Sequence, residues 1–370
     1  MKKSSKAATS FQILWLALLA VMLLQTGCST TGSDSKNTTA FHYDQAELPG
    51  AKPWTSKAFQ NNPEEFQFVV IGDRTGGANP QETFKLAVGQ INLLQPEFVI
   101  NVGDVIEGYS EDKVELNAEW DEIDESINSL DMPFFRTPGN HDIANETAQE
   151  VYRERYGTTY YSFVYQDTLF MVLDSEDPPR TAPPGIREKL DLYKKLLVDD
   201  PPDAQKLLKE FMSDESVVAG LAQLVEFEGA QMEWIKKTIA DHPDARWTFL
   251  FLHEPAWEKP SETFKEIQAL LKGRDHTFIA GHLHYYDYDE IDGHEHITMG
   301  PAGASFHQDG PGNVDHLMWV TMTEDGPQIG NIALKGIFDR KGLDPSLFGA
   351  YDRKGYGEEG KDEPKKEEKQ

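Results

Sequence analysis

A chain of 370 residues that is 39% hydrophobic and 11% aromatic can bury a sizeable core, and its length suits one large domain with insertions. Its formal net charge of −28, from 35 basic and 63 acidic residues, opposes nucleic-acid binding, which draws its affinity from basic groups that neutralise phosphates. A single cysteine excludes an intramolecular disulfide.

Residues 1–27 read as an export leader: Lys2, Lys3 and Lys6 form a basic start, and Phe11 to Leu24 form an apolar run broken only by Gln12. The run falls short of the about 20 residues of a membrane-spanning helix and ends in Gln25-Thr26-Gly27-Cys28. This stretch resembles a bacterial lipoprotein signal, although Gln25 stands where such signals usually carry leucine. The resemblance implies cleavage before a lipidated Cys28, and an exported protein held at a membrane on its periplasmic or cell-surface side. Losing the leader would leave 32 basic against 63 acidic residues, a net −31. Residues 28–63 mix Ser, Thr, Gly, Asn and Pro without hydrophobic period and are expected to form a flexible tether.

From residue 64 the pattern changes. F-Q-F-V-V-I-G-D, ending at Asp73, reads as a buried strand that delivers polar residues at its C-terminal tip, and a helix is predicted over about 81–94. E-F-V-I-N-V-G-D repeats the arrangement to Asp104, a helix follows over about 114–129, and P-F-F-R-T-P-G-N-H-D carries a third strand to Asn140. This βαβαβ order implies a largely parallel sheet with its ligands gathered at the strand C-termini. Tyr160 to Tyr165 and Thr168 to Asp174 form a hairpin about Gln166-Asp167. A helical insert is expected over about 175–226, and the core pattern resumes at residues 231–239. Strands return at W-T-F-L-F-L-H-E-P and H-T-F-I-A-G-H-L-H, with a helix over about 262–271 between them, and residues 294–334 read as closing strands of a second sheet. The domain is expected over 64–336, with a charged tail over 337–370.

Five polar clusters end these strands in order: G-D-R-T (72–75), G-D-V-I-E (103–107), G-N-H-D (139–142), L-H-E-P (252–255) and G-H-L-H (281–284). Singly, a Gly-Asp is usually a turn or a cap, and a histidine after a strand is usually hydrogen-bonded core. Together, the clusters resemble the signature of the calcineurin-like metallophosphoesterases. The resemblance implies a four-layer α/β/β/α sandwich of two mixed sheets flanked by helices, with two divalent or trivalent metal ions (Mn, Fe, Zn or Mg). It assigns Asp73 and His284 to one ion and Asn140, His253 and His282 to the other, with Asp104 bridging. His141 is implied to face the substrate, stabilise phosphoryl charge and protonate the leaving oxygen, with Asn140 beside it and Asp142 orienting it.

Arg74 is a candidate phosphate ligand. Arg136 either reaches the substrate or pairs with an acid. Trp257, Tyr285 and Tyr286 either stack on an aromatic leaving group or pack. His42, His242, His276, His294, His296, His307 and His316 lie outside the clusters and are assigned to surface or structural roles, with His296 and His307 nearest the margin.

Most members of the family open with Asp-x-His, whereas this chain reads Asp73-Arg74-Thr75. Purple acid phosphatases, which also lack that histidine, carry a tyrosine three residues after the bridging aspartate. Here that position is Glu107, which either completes the first metal site or is structural. The implied activity is hydrolysis of a phosphate monoester or diester by a metal-bound hydroxide. The substrate would be a small molecule or headgroup, the membrane a partner through the lipid anchor, and nucleic acid no partner. The alternative is a surface binding protein on the same fold with weakened turnover.

Overall fold

The computed structural model describes residues 40–341 except 62, 179–181, 184, 222, 308–309 and 335. The leader, Cys28 and most of the tail lie outside the described residues. In chain order the elements are β1 (Phe41–His42), β2 (Phe66–Ile71), α1 (Pro80–Leu94), β3 (Phe98–Asn101), α2 (Lys113–Asn128), β4 (Phe134–Phe135) and α3 (Glu146–Tyr156). Then come β5 (Tyr161–Tyr165), β6 (Thr168–Val172), α4 (Ile186–Asp199), α5 (Pro201–Phe211), α6 (Glu215–Leu221), α7 (Gly229–Asp241) and β7 (Trp247–Phe251). The chain continues through α8 (Glu262–Leu270), β8 (His276–Ala280), β9 (Asp287–Ile291), β10 (His294–Thr298), β11 (His316–Thr323), β12 (Gly326–Ala333) and β13 (Gly336–Asp339). Among the described residues, no helix is long and apolar enough to cross a membrane.

Two mixed sheets result. One runs β1-β5-β6-β7-β8-β10-β9 and the other β13-β12-β11-β2-β3-β4. β2, β3 and β4 are mutually parallel in the second, as are β6, β7, β8 and β10 in the first, and antiparallel strands flank both groups. The side-chain period of two explains the layering. In β2, Phe66, Phe68 and Val70 enter the layer between the sheets while Val69 and Ile71 meet the core under α1, α2 and α3. In β7, Phe249 and Phe251 point inward while Leu250 joins the core under α7 and α8. The layers are therefore α/β/β/α, and the middle one is rich in phenylalanine: Phe98 stacks on Phe68 at 5.1 Å and Phe170 on Phe163 at 4.8 Å. Asp112, Asn145 and Ser261 cap α2, α3 and α8 through their side-chain oxygens. Gln166 and Asp167 both take positive φ, 49° and 56°, the primed turn that suits a two-residue hairpin.

The structure corrects two expectations. The tether expected to reach residue 63 is ordered over much of 40–63: β1 pairs with β5, Trp54 bridges to Phe135, and Phe59 stacks on Tyr165 at 4.7 Å. Isolated aromatics spaced along polar sequence make no period, yet each fills a site at the edge of the middle layer. The strands of 294–334 also divide between the sheets. β10 lies parallel to β8, whereas β11 pairs antiparallel with β2 and places the chain's last long hairpin beside its first core strand.

Candidate metal centre

All five clusters sit where parallel strands end. Asp73 follows β2, Asp104 follows β3, and Asn140 and His141 follow β4 in one sheet, while His253 follows β7 and His282 and His284 follow β8 in the other. The backbone is bent sharply to present them. Asp104, His282 and His284 have φ of 54°, 69° and 49°, a conformation that costs a non-glycine residue free energy and that clusters at functional sites. Two glycines make the approach possible. A Cβ on Gly139 would strike the Asp104 carboxylate and lie 2.8 Å from the His253 ring, and one on Gly281 would strike Asp73 Oδ1.

Two groups of ligand atoms form. Asp73, Asp104 and His284 offer atoms that all lie within 4.8 Å of one another, and His284 Nε2 is 3.3 Å from Asp73 Oδ2. Beside them, Asn140 Oδ1 is 2.9 Å from both His253 Nε2 and His282 Nδ1, and His253 Nε2 is 3.2 Å from Asp104 Oδ2. Asp104 belongs to both groups.

Several features fit these groups to cations. His253 Nδ1 lies 2.8 Å from the Val102 carbonyl and His284 Nδ1 2.6 Å from that of Ser305. A carbonyl only accepts, so each Nδ1 carries a hydrogen and each Nε2 is turned toward the acids, open to a proton or a metal ion, the usual support of a metal-ligating histidine. Asp73 Oδ1 is buried without a hydrogen-bond partner among the described residues, a costly state for an anionic oxygen unless a cation meets it. Burial alone would lower the His253 imidazole, but the adjacent Asp104 carboxylate raises it well above the usual range. Burial likewise opposes charge on Asp104, yet His253 and His141 hold its carboxyl below the usual range.

His141 lines the cavity above these groups. Its backbone N–H donates to Asp104 Oδ1 at 2.8 Å, and its Nδ1 donates to the Glu107 carbonyl at 2.7 Å, which leaves Nε2 as the uncommitted ring nitrogen, 3.9 Å from Asp104 Oδ2. The expectation that Asp142 orients this ring is corrected. The Asp142 carboxylate instead accepts from the backbone N–H groups of Asp104, Val105, Ile106 and Gly139 at 2.8 to 3.3 Å, fixing the loop that carries Asp104. It is a positioning residue.

Arg74 is also corrected as a substrate ligand. Its guanidinium is buried, donating to the Val105 carbonyl at 3.0 Å and to Glu122 of α2 at 2.6 Å. Arg136 pairs with Asp124 at 2.7 Å. Glu107 stands outside the Asp73, Asp104 and His284 group: its Oε1 accepts from Gly76 N at 3.3 Å and pairs with Lys194 of α4 at 3.0 Å. Trp257 and Tyr286 are buried packing residues, ring to ring with His296 and His316.

Two residues outside the five clusters join the site, Tyr109 and His307, the second expected to be surface or structural. Tyr109, with φ of 54°, accepts from Asn140 Nδ2 at 2.7 Å and sets its ring edge-on to His141 at 4.8 Å. His307 stacks on His284 at 4.0 Å and lines the cavity. The nearness of Tyr109 to Asp104 in sequence was a usable signal for the first; nothing local announces the second.

The family model described as calcineurin-like phosphoesterase matches residues 66–286. Among solved structures, a dimetal phosphatase from Danio rerio is 15% identical with a TM-score of 0.53, covering 75% of this chain and 98% of its own. The structure of PhoD is 10% identical with a TM-score of 0.50, covering 78% of this chain and 73% of its own. At these identities the likeness shows the fold. No curated protein matches the chain in sequence.

Proposed function

The chain belongs to the calcineurin-like phosphoesterase family, and from that premise we propose that it hydrolyses a phosphate monoester or diester at a two-metal site built on Asp104. The observation that carries this reading is the meeting of Asn140 Oδ1, His253 Nε2 and His282 Nδ1 within 3.2 Å of one another beside the Asp104 carboxylate. Asp104, Asn140, His253 and His282 would hold one ion, and Asp73, Asp104 and His284 the other. Cations held there supply charge neutralisation for the phosphoryl oxygens and lower the pKa of the attacking water.

The chain's own groups do the rest. His141, its Nδ1 fixed by the Glu107 carbonyl, lines the cavity, where Nε2 in its protonated form donates to the departing ester oxygen. Tyr109 holds the Asn140 amide, so that Asn140 Oδ1 faces the two histidines. Asp142 holds the backbone of Asp104.

The second reading, a binding protein with weakened turnover, draws on Thr75 in place of a histidine and on the engagement of Glu107 with Lys194. Release of p-nitrophenol from p-nitrophenyl phosphate and its bis ester, with Mn²⁺, Zn²⁺, Fe²⁺ or Mg²⁺ added, decides between them. Metal-dependent turnover lost in Asp104→Ala and in His141→Ala is expected, and turnover indifferent to both substitutions would refute the enzyme reading. We further propose that the domain is exported and tethered through Cys28, which labelling with a palmitate analogue and its loss in Cys28→Ala would test.

A further inference from the structure

The inserted helices contribute little to the protein's cores. α4 places Ile186, Leu190 and Tyr193 on one face, and α5 places Leu207, Leu208 and Phe211 on one face, at spacings that make an apolar stripe. Among the described residues, Tyr193 is buried, while the other five are only partly buried and belong to none of the packed hydrophobic cores. All six line a cavity of about 580 Å³ whose floor is formed by Asp104, Asn140, His141, His282 and His284. Apolar stripes that meet no core need something else to cover them.

The stripe is held over the site. Arg187 of α4 donates to the Gly108 carbonyl at 2.7 Å and pairs with Glu119 at 2.8 Å, and Lys194 pairs with Glu107 at 3.0 Å. The half-exposed side chains of Met212 and Leu224 line the same cavity, so its apolar wall reaches solvent. The volume lies within the range of about 300 to 1,000 Å³ typical of small-molecule sites, and one cavity joins a charged floor to an apolar roof.

Resting on the phosphoesterase reading above, we infer that the substrate is amphiphilic: its phosphoester sits on the Asp104 floor while an aliphatic chain fills the chamber formed by α4 and α5. The reaction is hydrolysis: the water oxygen bonds to phosphorus, the ester P–O bond breaks, and the departing oxygen leaves as an alcohol carrying a proton. A phospholipid headgroup and a soluble alkyl phosphate share this chemistry.

The test is kcat/KM across alkyl phosphates and p-nitrophenyl alkyl phosphates from methyl to octyl, at concentrations below their aggregation, with p-nitrophenyl phosphate as reference. The inference expects a rise of about fourfold per added methylene, following the transfer free energy of a buried CH₂. It also expects Leu208→Asn and Phe211→Asn, checked for folding by circular dichroism, to cut the octyl-to-methyl ratio at least about tenfold. Turnover of the methyl esters and p-nitrophenyl phosphate with no dependence on chain length would overturn this inference and leave the phosphoesterase reading intact. No turnover of any ester would overturn both. In a second arm, phosphatidylcholine vesicles containing phosphatidic acid separate the sources: hydrolysis there supports a lipid headgroup, and a chain-length rise confined to the soluble esters supports a free amphiphile.

Discussion

Asn140 and His253, 113 positions apart in the chain, bring Oδ1 and Nε2 to 2.9 Å although their parent strands, β4 and β7, belong to different sheets. The pair spans the seam of the sandwich. Removing either partner should therefore act on the ion held between the sheets: Asn140→Ala and His253→Ala are each expected to lower kcat/KM at least about 100-fold, the upper end for disturbed metal-ligand support. Bound metal per chain, measured by plasma emission, should fall with it. Chelation of the wild type should abolish turnover and added metal restore it. Full metal content in both variants would remove these residues from the site.

Glu107→Gln is expected to leave metal content unchanged, because the carboxylate is engaged by Lys194 and Gly76 rather than gathered with Asp73 and His284. The effect should appear in stability instead. Glu107→Gln, Lys194→Ala and the double variant should show a coupling of about 0.5 to 1 kcal/mol in urea unfolding, the scale of a partly screened pair. Loss of one metal per chain in Glu107→Gln would instead make it a ligand.

Gly281→Ala adds a methyl group that collides with Asp73 Oδ1. Near-native folding with about 100-fold lower kcat/KM is the expected result, since misplacement of a catalytic group by about 1 Å costs that much. A variant with wild-type kinetics would show that Asp73 has room to move and does not need its present position.

Burial holds the His316 imidazole down to about 3, while its Nε2 accepts from Gly300 N at 2.9 Å. The unfolded chain binds this proton near pH ~6.5, so below that pH the unfolded state binds more protons than the folded one and stability drains away as pH falls. The loss from this group should approach ~1.4 kcal/mol per pH unit between about 6 and 3. His316→Gln should flatten the slope of unfolding free energy against pH over that window, even if it lowers stability at neutral pH. An unchanged slope would show that His316 does not govern it.

The parts of this molecule legible in sequence are those with a local signature. The β2, β3, β7 and β8 runs announce themselves because each is a short apolar stretch that stops at a polar ligand, after a glycine in β2, β3 and β8 and directly at His253 in β7. The same punctuation delivers Asp73, Asp104, His253 and His282 to one place. Arg74 was illegible because its position in the first cluster says nothing of Glu122, 48 residues on, which captures its guanidinium. Asp142 is illegible for a similar reason: the motif next to His141 implies an orienting role, while the fold turns the carboxylate back onto four backbone amides. Phe41, Trp54 and Phe59 hid in polar sequence because sheet-edge anchoring needs single aromatics rather than a period. His307 reaches His284 only through the path of the loop after β10.

Glu107 faces two ways. Its carbonyl fixes the ring of His141, and its carboxylate fixes Lys194 on the inserted helix. One residue is thus a common support for the His141 ring and for the inserted helix that roofs the chamber. The setting of the His141 ring and the seat of α4 therefore share one anchor in the chain.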